Sequence, residues 1–472
     1  MSAELHWKSA AELTGDFRSG AVSPVEVTCA MLDRIETVDP LLGSYDEVTA
    51  ERAMAQAARA ETAWRAGEAG PLTGVPVAVK ALCDMKGVRT AAGTKVMRER
   101  VAETDATVVR RLEEAGAVIL GLLVMTEGAS AVHHPETPQP KNPWNPDYWS
   151  GASSSGSGVA VAAGLCFGAL GSDTAGSIRA PSHFNGVTGL KPTYGRVSRA
   201  KVFPLSATLD HLGPMTRSAE DAASMLRVIA GPDEADPTAV RRSISGDLAG
   251  LDQGIEGLRI GVDERWITDG VDPELSKSVL EAAAELERAG AVRVNVDAPD
   301  RGEAIRAGAA ILHADVALAH RDLFPGREDD YGPHLAELIR IGQRLTGVEL
   351  AEAHERRRNW TGRLAALHEE VDLLILPPTP APAPPARLTH ALSGDFFDQG
   401  DVFRFTLPFT LSGQPALTLP CGFSRLGLPL AFQLIGRPFE EAAALRAGMA
   451  WQARTDWHLR HPDEAAWQGH AA

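Results

Sequence analysis

Ser177 follows a short turn of small residues, and its hydroxyl is a candidate nucleophile. The chain reads DTAGSIR over positions 173–179. Small residues let backbone N–H groups approach a bound carbonyl closely, as an oxyanion hole requires. A serine beside such a turn could attack an acyl carbon and form an acyl-enzyme. A flexible Ser/Gly linker is the alternative, but an apolar run, VAVAA at 159–163, interrupts the serines upstream.

Lys80 is the candidate base for that serine. The stretch GVPVAVK over positions 74–80 predicts a buried strand that ends at the lysine. Burial disfavours the charged ammonium and lowers its pKa, so a desolvated lysine could take a proton near neutral pH. The alternative is a lysine that ends a strand and extends its side chain to solvent.

A serine and glycine run, SGASSSGSG over positions 150–158, completes a three-part pattern. Taken together, the three segments resemble the amidase signature family. Its marks are a lysine after GVPVAVK, a Gly/Ser run and the motif Asp-Thr-Gly-Gly-Ser-Ile-Arg. The resemblance covers nearly the whole chain and continues through GLKPT at 189–193, LDHLGP at 209–214, DLLI at 372–375 and GQPA at 413–416.

The resemblance implies a Ser–cis-Ser–Lys triad. It places the nucleophile at Ser177 and the base at Lys80. Ser153 becomes the serine after a cis peptide bond, with its hydroxyl aimed between the other two as a proton relay. The implied oxyanion hole consists of backbone N–H groups of Thr174, Ala175, Gly176 and Ser177.

The implied activity is hydrolysis of the C–N bond of a small-molecule amide through a seryl acyl-enzyme. Aryl acylamides and carbamates are candidate substrates, so aryl acylamidase and urethanase activities are both hypotheses. Met125 and Phe403 are candidate substrate-binding residues. The segment 403–411 is rich in apolar side chains and precedes a family motif, although its alternation equally predicts a half-buried core strand.

Five positions depart from the usual residues of the family. Ala152, Ser155 and Ala175 stand where glycine is usual, and Val124 and Thr410 stand where asparagine is frequent. An alanine at position 175 would be strained by roughly 1–2 kcal/mol if its φ had to be positive. Only the backbone N–H is needed there, so we expect activity to survive.

Two other functions remain alternatives. The chain could be the amidase subunit of a glutamine-dependent tRNA amidotransferase. A segment like GRVSR at 195–199 also occurs in such subunits. It could also be a non-catalytic scaffold with a decayed site. The four residues SRAK at 198–201 fit the S-x-x-K pattern of penicillin-recognising enzymes, but no partner motif accompanies them.

We expect no metal or cofactor, because the sequence lacks a cluster of metal ligands and the implied triad needs no Lewis acid. His133 and His134 lack metal-ligand spacing, and a loop role before Pro135 is expected for them. The net charge of −16 disfavours nucleic acid and anionic membranes as partners. Four scattered cysteines and no apparent signal peptide predict a cytoplasmic protein. We expect a monomer or a homodimer.

The chain predicts an α/β fold, with a mixed central sheet covered by helices on both faces. We expect a single domain over 1–472, with an N-terminal helical segment at 1–70 and a possible helical cap at 301–363. Helices are predicted near 24–35, 50–65, 107–115, after Ser153, 219–229 and 274–289. Strands are predicted at 76–80, 118–125, 165–171, 258–262, 292–296, 371–376, 416–419 and 430–434.

Overall fold

One mixed sheet of eleven strands runs through the part of the chain that the computed structural model describes, residues 5–244, 246–387 and 402–468. The strands are β1 (Tyr45–Val48), β2 (Pro76–Lys80), β3 (Val118–Leu123), β4 (Gly168–Asp173), β5 (Thr188–Lys191), β6 (His211–Thr216), β7 (Arg259–Val262), β8 (Val292–Asn295), β9 (Leu373–Leu376), β10 (Ala416–Phe423) and β11 (Pro429–Gly436). Their order across the sheet is β1-β3-β2-β4-β6-β5-β10-β11-β9-β7-β8. The α/β prediction is confirmed.

Helices pack against this sheet and flank it along the chain. They are α1 (Ala10–Ser19), α2 (Pro24–Leu42), α3 (Ala50–Ala66), α4 (Thr107–Glu114), α5 (Ser155–Ala162), α6 (Arg179–Asn185), α7 (Ala219–Ile229), α8 (Glu264–Thr268), α9 (Pro273–Arg288), α10 (Gly302–Ala319), α11 (Pro333–Arg344), α12 (Gly347–Glu370), α13 (Leu407–Leu411), α14 (Glu441–Gln452) and α15 (Ala465–Gln468). None of the helices in the described residues is long and apolar enough to span a membrane.

The predicted start of α2 is confirmed by a reciprocal cap. The Glu26 backbone N–H donates to the Ser23 side chain at 3.1 Å, and the Ser23 N–H donates to the Glu26 carboxylate at 2.8 Å. Pro24 occupies the first helical position, where its missing N–H removes no helical bond.

Strand pairing brings the candidate base and the candidate nucleophile to one edge of the sheet. β2 is parallel to β4, with Val79 opposite Leu170. Because parallel strands end at the same edge, Lys80 at the end of β2 and the turn after β4 lie at the same side. All residues of both strands are buried.

Three sequence expectations differ from the structure. The alternating segment from Phe403 is not a strand, because a turn leads directly into α13. β1, β5 and β6 were not predicted, and Pro214 inside β6 argues against a strand on sequence alone. The strand before the nucleophile ends at Asp173 rather than at Gly171. The segment 301–363 contains α10, α11 and the first part of α12, and its role as a cap stays a prediction.

Candidate active site

Lys80 lies fully buried at the end of β2 with its ammonium among three serine hydroxyls. Its Nζ is 2.6 Å from Ser153 Oγ, 3.0 Å from Ser154 Oγ and 2.8 Å from Ser172 Oγ. Burial lowers the pKa of Lys80 to about 7. The lysine therefore changes charge near neutral pH, and it does so inside a hydrogen-bonded network.

This network can move a proton because of the chemistry of its members. A charged ammonium donates three hydrogen bonds and accepts none, which matches the three oxygens around Lys80. A neutral amine has a lone pair, so the nearest hydroxyl, that of Ser153, can donate to it instead. Loss and gain of a proton at Lys80 thus reverse the direction of its hydrogen bond with Ser153.

The serine run connects this lysine to the nucleophile turn. The peptide bond between Ala152 and Ser153 is cis, as the family resemblance implies. The next residue, Ser154, donates its backbone N–H to the Ser177 carbonyl at 3.3 Å. The Ser153 carbonyl in turn accepts the Thr126 N–H at 3.2 Å. The structure therefore brings Lys80, the serine run and the Ser177 turn together, although the three segments are far apart in sequence.

The predicted oxyanion turn, residues 174–177, joins β4 to the helix that begins at Arg179. Gly176 has φ 137°, and a Cβ there would lie 2.5 Å from Thr406 Oγ1. Only glycine is suited to this backbone conformation in such a confined space. Ala175 does not have a positive φ, so the strain considered for this departure does not arise.

Asp173, just before the turn, forms a fully buried ion pair with Arg179. The Arg179 Nη2 lies 2.9 Å and its Nε 3.0 Å from the two carboxylate oxygens. Burial alone would raise the pKa of the Asp173 carboxyl, but Arg179, followed by Lys191 and His211, outweighs this and holds that pKa well below its usual value. Thr410, one of the departures from the family pattern, accepts a hydrogen bond from Arg179 at 2.6 Å.

Asp210 lies on the other side of the turn and has no arginine or lysine within ion-pair distance among the described residues. The Thr174 hydroxyl donates to its carboxylate at 2.6 Å, and the Leu205 and Ser206 N–H groups donate at 3.0 and 3.1 Å. Burial raises the pKa of Asp210 to about 6, although Thr174 and the N–H donors act against that rise. This carboxyl fixes the side chain of the first residue of the oxyanion turn.

The two candidate substrate-binding residues lie in different places. Phe403 is buried in a small apolar cluster with Ala131, Ala175 and Leu407, so it packs against the oxyanion turn. Met125 lines a separate cavity of about 80 Å³, together with polar residues from other segments. The structure therefore brings Phe403, but not Met125, into contact with the turn.

The departure at position 155 has a local partner. Ser155 begins α5, and its hydroxyl lies 3.2 Å from His133 Nε2. His133 is thus engaged by the serine run from a loop, as expected for a loop residue. Through the described ranges, no group of three or more His, Cys, Asp or Glu side chains is placed to hold a metal ion.

Sequence reasoning missed Ser154, Ser172 and Asp210. Ser154 was only one member of the serine run, and Ser172 lies in a buried strand without a distinctive pattern. Asp210 reaches Thr174 across 36 positions of sequence. The sequence signal that could have revealed Ser172 was the alternation of side chains along β4. This alternation, with a period of two residues, makes Ser172 a neighbour of the oxyanion turn on the same strand.

Comparisons with known proteins identify the family of this chain. The family model described as Amidase matches residues 26–445. The AmiD protein of Mycobacterium tuberculosis is 42% identical over 454 residues, 96% of this chain and 95% of its own length. A subunit of the glutamyl-tRNA(Gln) amidotransferase of Methylococcus capsulatus is 38% identical, covering 97% of this chain and 99% of its own length.

A solved structure of 6-aminohexanoate cyclic dimer hydrolase complexed with its substrate shares the fold. It has a TM-score of 0.88 and 28% identity, covering 97% of this chain and 99% of that chain. The match therefore extends through the sheet, the helices and the segments that carry the candidate site. The chain belongs to the amidase family and is a hydrolytic enzyme that acts on the C–N bond of amides.

Proposed function

We propose that Ser177 is the nucleophile of this amidase, with Ser153 and Lys80 as its proton relay. Neutral Lys80 draws the proton of the Ser153 hydroxyl, which takes the proton of Ser177 as that oxygen attacks the carbonyl. The backbone N–H groups of residues 174–177 stabilise the negative charge on the carbonyl oxygen. The buried contact of 2.6 Å between Lys80 Nζ and Ser153 Oγ is the observation that carries this proposal.

The same relay returns the proton to the departing nitrogen. An amine is a poor leaving group unless it is protonated, and a positioned acid contributes about 10²–10⁴-fold to such a step. One oxyanion-hole donor contributes about 10²–10³-fold. Water then attacks the acyl-enzyme, and Lys80 and Ser153 accept and return its proton. No step of this proposal uses a metal ion or a cofactor.

The proposed substrates are neutral amides that carry a ring, such as anilides or aryl carbamates. Phe403 in its apolar cluster beside the oxyanion turn supports this class, because an aromatic ring gains binding energy from apolar contact. The net charge of −16 disfavours anionic substrates at long range. Kinetics with an anilide, an aryl carbamate, glutamine and acetamide test this; a higher kcat/KM for glutamine or acetamide would contradict it.

Labelling with a fluorophosphonate probe tests the nucleophile. The probe should modify Ser177 of the native enzyme, as peptide mass spectrometry would show. Ser177→Ala should abolish labelling and lower kcat by on the order of 10⁴-fold or more. Ser412, a half-buried serine elsewhere, offers a matched control: Ser412→Ala should label normally. A stable adduct on another serine would overturn the assignment.

Substitution of Lys80 tests the acid–base role. Lys80→Ala should lower amide hydrolysis more than hydrolysis of an activated ester with the same acyl group, because the ester needs less proton donation. The native rate should rise as pH increases through about 7, where Lys80 loses its proton. Equal losses on amide and ester would contradict the proposal.

A second candidate function is that of an amidotransferase subunit, favoured by the 38% identity to the glutamyl-tRNA(Gln) amidotransferase protein. In that case glutamine would be the amide and the ammonia would pass to a partner. Affinity capture of partner subunits from the source cells, combined with a glutaminase assay, separates the two functions. Hydrolysis of glutamine only in the presence of captured subunits would favour this second candidate.

A further inference from the structure

A cavity of about 260 Å³ lies at the carboxyl ends of β2 and β4, on the edge of the sheet that carries the candidate triad. Its walls are mainly apolar. The apolar residues include Leu82, Val202, Phe203, Leu205 and Leu212, and polar residues from strand ends and from loops supply the rest of the wall. The proposed proton relay gives this space no role.

Two polar residues of the cavity wall are each one hydrogen bond away from the catalytic groups. Ser172 lines the cavity and accepts a hydrogen bond from Lys80 at 2.8 Å. Asp210 also lines it and accepts the Thr174 hydroxyl at 2.6 Å. The cavity therefore adjoins both the proton relay and the oxyanion turn.

A third wall residue connects the cavity to the serine run. Ala129 belongs to the short turn 126–130, and Thr126 of that turn donates its N–H to the Ser153 carbonyl at 3.2 Å. A molecule that fills the cavity would thus contact Ser172, which is bonded to Lys80, Asp210, which is bonded to the oxyanion turn, and the turn that is bonded to Ser153. This position suits the non-reacting part of a substrate whose carbonyl is held at Ser177.

The size of the cavity suits one substituted ring. An apolar cavity of about 150 Å³ is sufficient to bind benzene in another protein. The cavity beside Met125, at about 80 Å³, is much smaller and lies among polar residues. A phenyl or benzyl group therefore fits the larger cavity but not the smaller one.

The charges at the far end of the cavity favour an uncharged occupant. The guanidinium of Arg199 already donates to the Tyr194 hydroxyl at 2.8 Å and the Thr238 hydroxyl at 2.6 Å. The Asp236 carboxylate accepts the Arg199 backbone N–H at 2.7 Å. The wall thus carries the guanidinium of Arg199 and two carboxylates, those of Asp236 and Asp210, so an additional carboxylate on the substrate would meet more negative than positive charge.

We infer that this cavity is the subsite that receives the uncharged, ring-bearing part of the amide substrate, and that Phe203 determines its size. The inference rests on the proposed function and names the substrate class of that same site. Phe203 is half-buried, and its backbone N–H is held by the Leu82 carbonyl at 2.9 Å. Its side chain can therefore be changed while the loop stays anchored.

Two matched substrate pairs test the inference. Acetyl and phenylacetyl p-nitroanilide differ in the acyl group, and N-methylacetamide and N-benzylacetamide differ in the amine. In at least one pair the native enzyme should prefer the ring by about 10- to 100-fold in kcat/KM, the range expected for burying a side chain of that size. Phe203→Trp narrows the cavity and should reduce that preference by about tenfold, with little change for the small substrate.

Three variants and one probe make the outcomes distinct. Phe423→Trp, a half-buried phenylalanine that packs on Trp144 and Trp457, is the matched control and should keep the ring preference. Phe203→Ala should extend the preference to a naphthyl group. A ring preference that survives Phe203→Trp but is lost in Phe403→Ala would overturn the inference, as would no ring preference in either pair. If the native enzyme is not labelled by the fluorophosphonate probe, the proposed function itself is refuted.

Discussion

Two carboxyl groups flank the oxyanion turn, that of Asp173 fully buried and that of Asp210 half-buried, and their surroundings differ in charge. Asp173 is paired with Arg179 at 2.9 Å, and the arginine holds the pKa of this carboxyl well below its usual value. Asp210 has only hydroxyl and backbone N–H donors among the described residues, and burial raises its pKa to about 6. One side of the turn is therefore ionised at every working pH, whereas the other changes charge in mildly acidic solution.

Asp173 is therefore a structural clamp, whereas Asp210 is a contact that gains or loses a proton as the pH changes. Arg179 also donates to the Thr406 carbonyl at 3.0 Å, so the Asp173 side is fixed to the segment before α13. Asp210 instead holds Thr174 to the loop at 205–206 that borders the cavity. Both carboxylates also oppose the loss of the Lys80 proton, because a nearby negative charge favours the ammonium.

The largest effect is expected from Arg179→Met, which leaves the Asp173 carboxylate buried and unpaired. Breaking one partner of a buried ion pair costs about 3–5 kcal/mol. Chemical unfolding should show this loss in the free energy of unfolding. Arg110→Met is the matched control, because Arg110 pairs with Glu114 in solvent and such pairs contribute about 0–1 kcal/mol. Equal losses for the two variants would show that Asp173 is not a clamp.

A double variant keeps this prediction testable when the single variant fails to fold. Adding Asp173→Asn to Arg179→Met removes the unpaired charge, so the double variant should be more stable than Arg179→Met alone. A double variant that is less stable would contradict the electrostatic explanation.

The next effect concerns Asp210→Asn and pH. Because the pKa of Asp210 is raised in the folded state, the folded protein binds that proton more tightly than the unfolded chain. The free energy of unfolding should therefore fall as pH rises from about 4 to about 6, by about 3 kcal/mol relative to Asp210→Asn. The asparagine loses one acceptor, but that cost does not change with pH. A difference that stays constant between pH 4 and pH 7 would contradict the prediction.

The same two aspartates show what sequence could and could not predict. The fold class, most helices and the strand ending at Lys80 could be predicted, because apolar runs and caps are local signals. The Ser23 cap with Glu26 is of this kind. Asp173 lies inside a recognisable motif, so its position beside the turn was also evident.

The remaining features depend on contacts between distant segments. Asp210 reaches Thr174 through the pairing of β4 with β6, and β6 contains a proline that masks its strand character. The interpretation of the segment from Phe403 as a strand is wrong. Its apolar side chains alternate, but Phe403 packs against Ala175 and the segment leads into α13. The cavity walls come from five separate segments, so no single stretch of sequence contains them.

A smaller effect is expected from Gly176→Ala, on the turn between the two aspartates. A Cβ there would meet the side chain of Thr406, and φ 137° is unfavourable for alanine. Such backbone strain costs about 1–3 kcal/mol. Thermal unfolding should show the loss, and amide hydrolysis should fall as the N–H groups move. Unchanged stability and rate would indicate that the turn is not confined by Thr406.

The smallest effect is expected one residue earlier, at Ala175→Gly. Glycine is usual here in the family. Ala175 does not have a positive φ, so its replacement by glycine relieves no backbone strain. The added backbone freedom should lower the free energy of unfolding by at most about 1 kcal/mol. Its N–H stays in place, so kcat on an amide should remain within about threefold of the native value. Loss of the contact with Phe403 is the remaining consequence, and it contributes to the same small loss of stability. A large fall in kcat would mean that the Ala175 methyl group, and not only its backbone, positions the oxyanion turn.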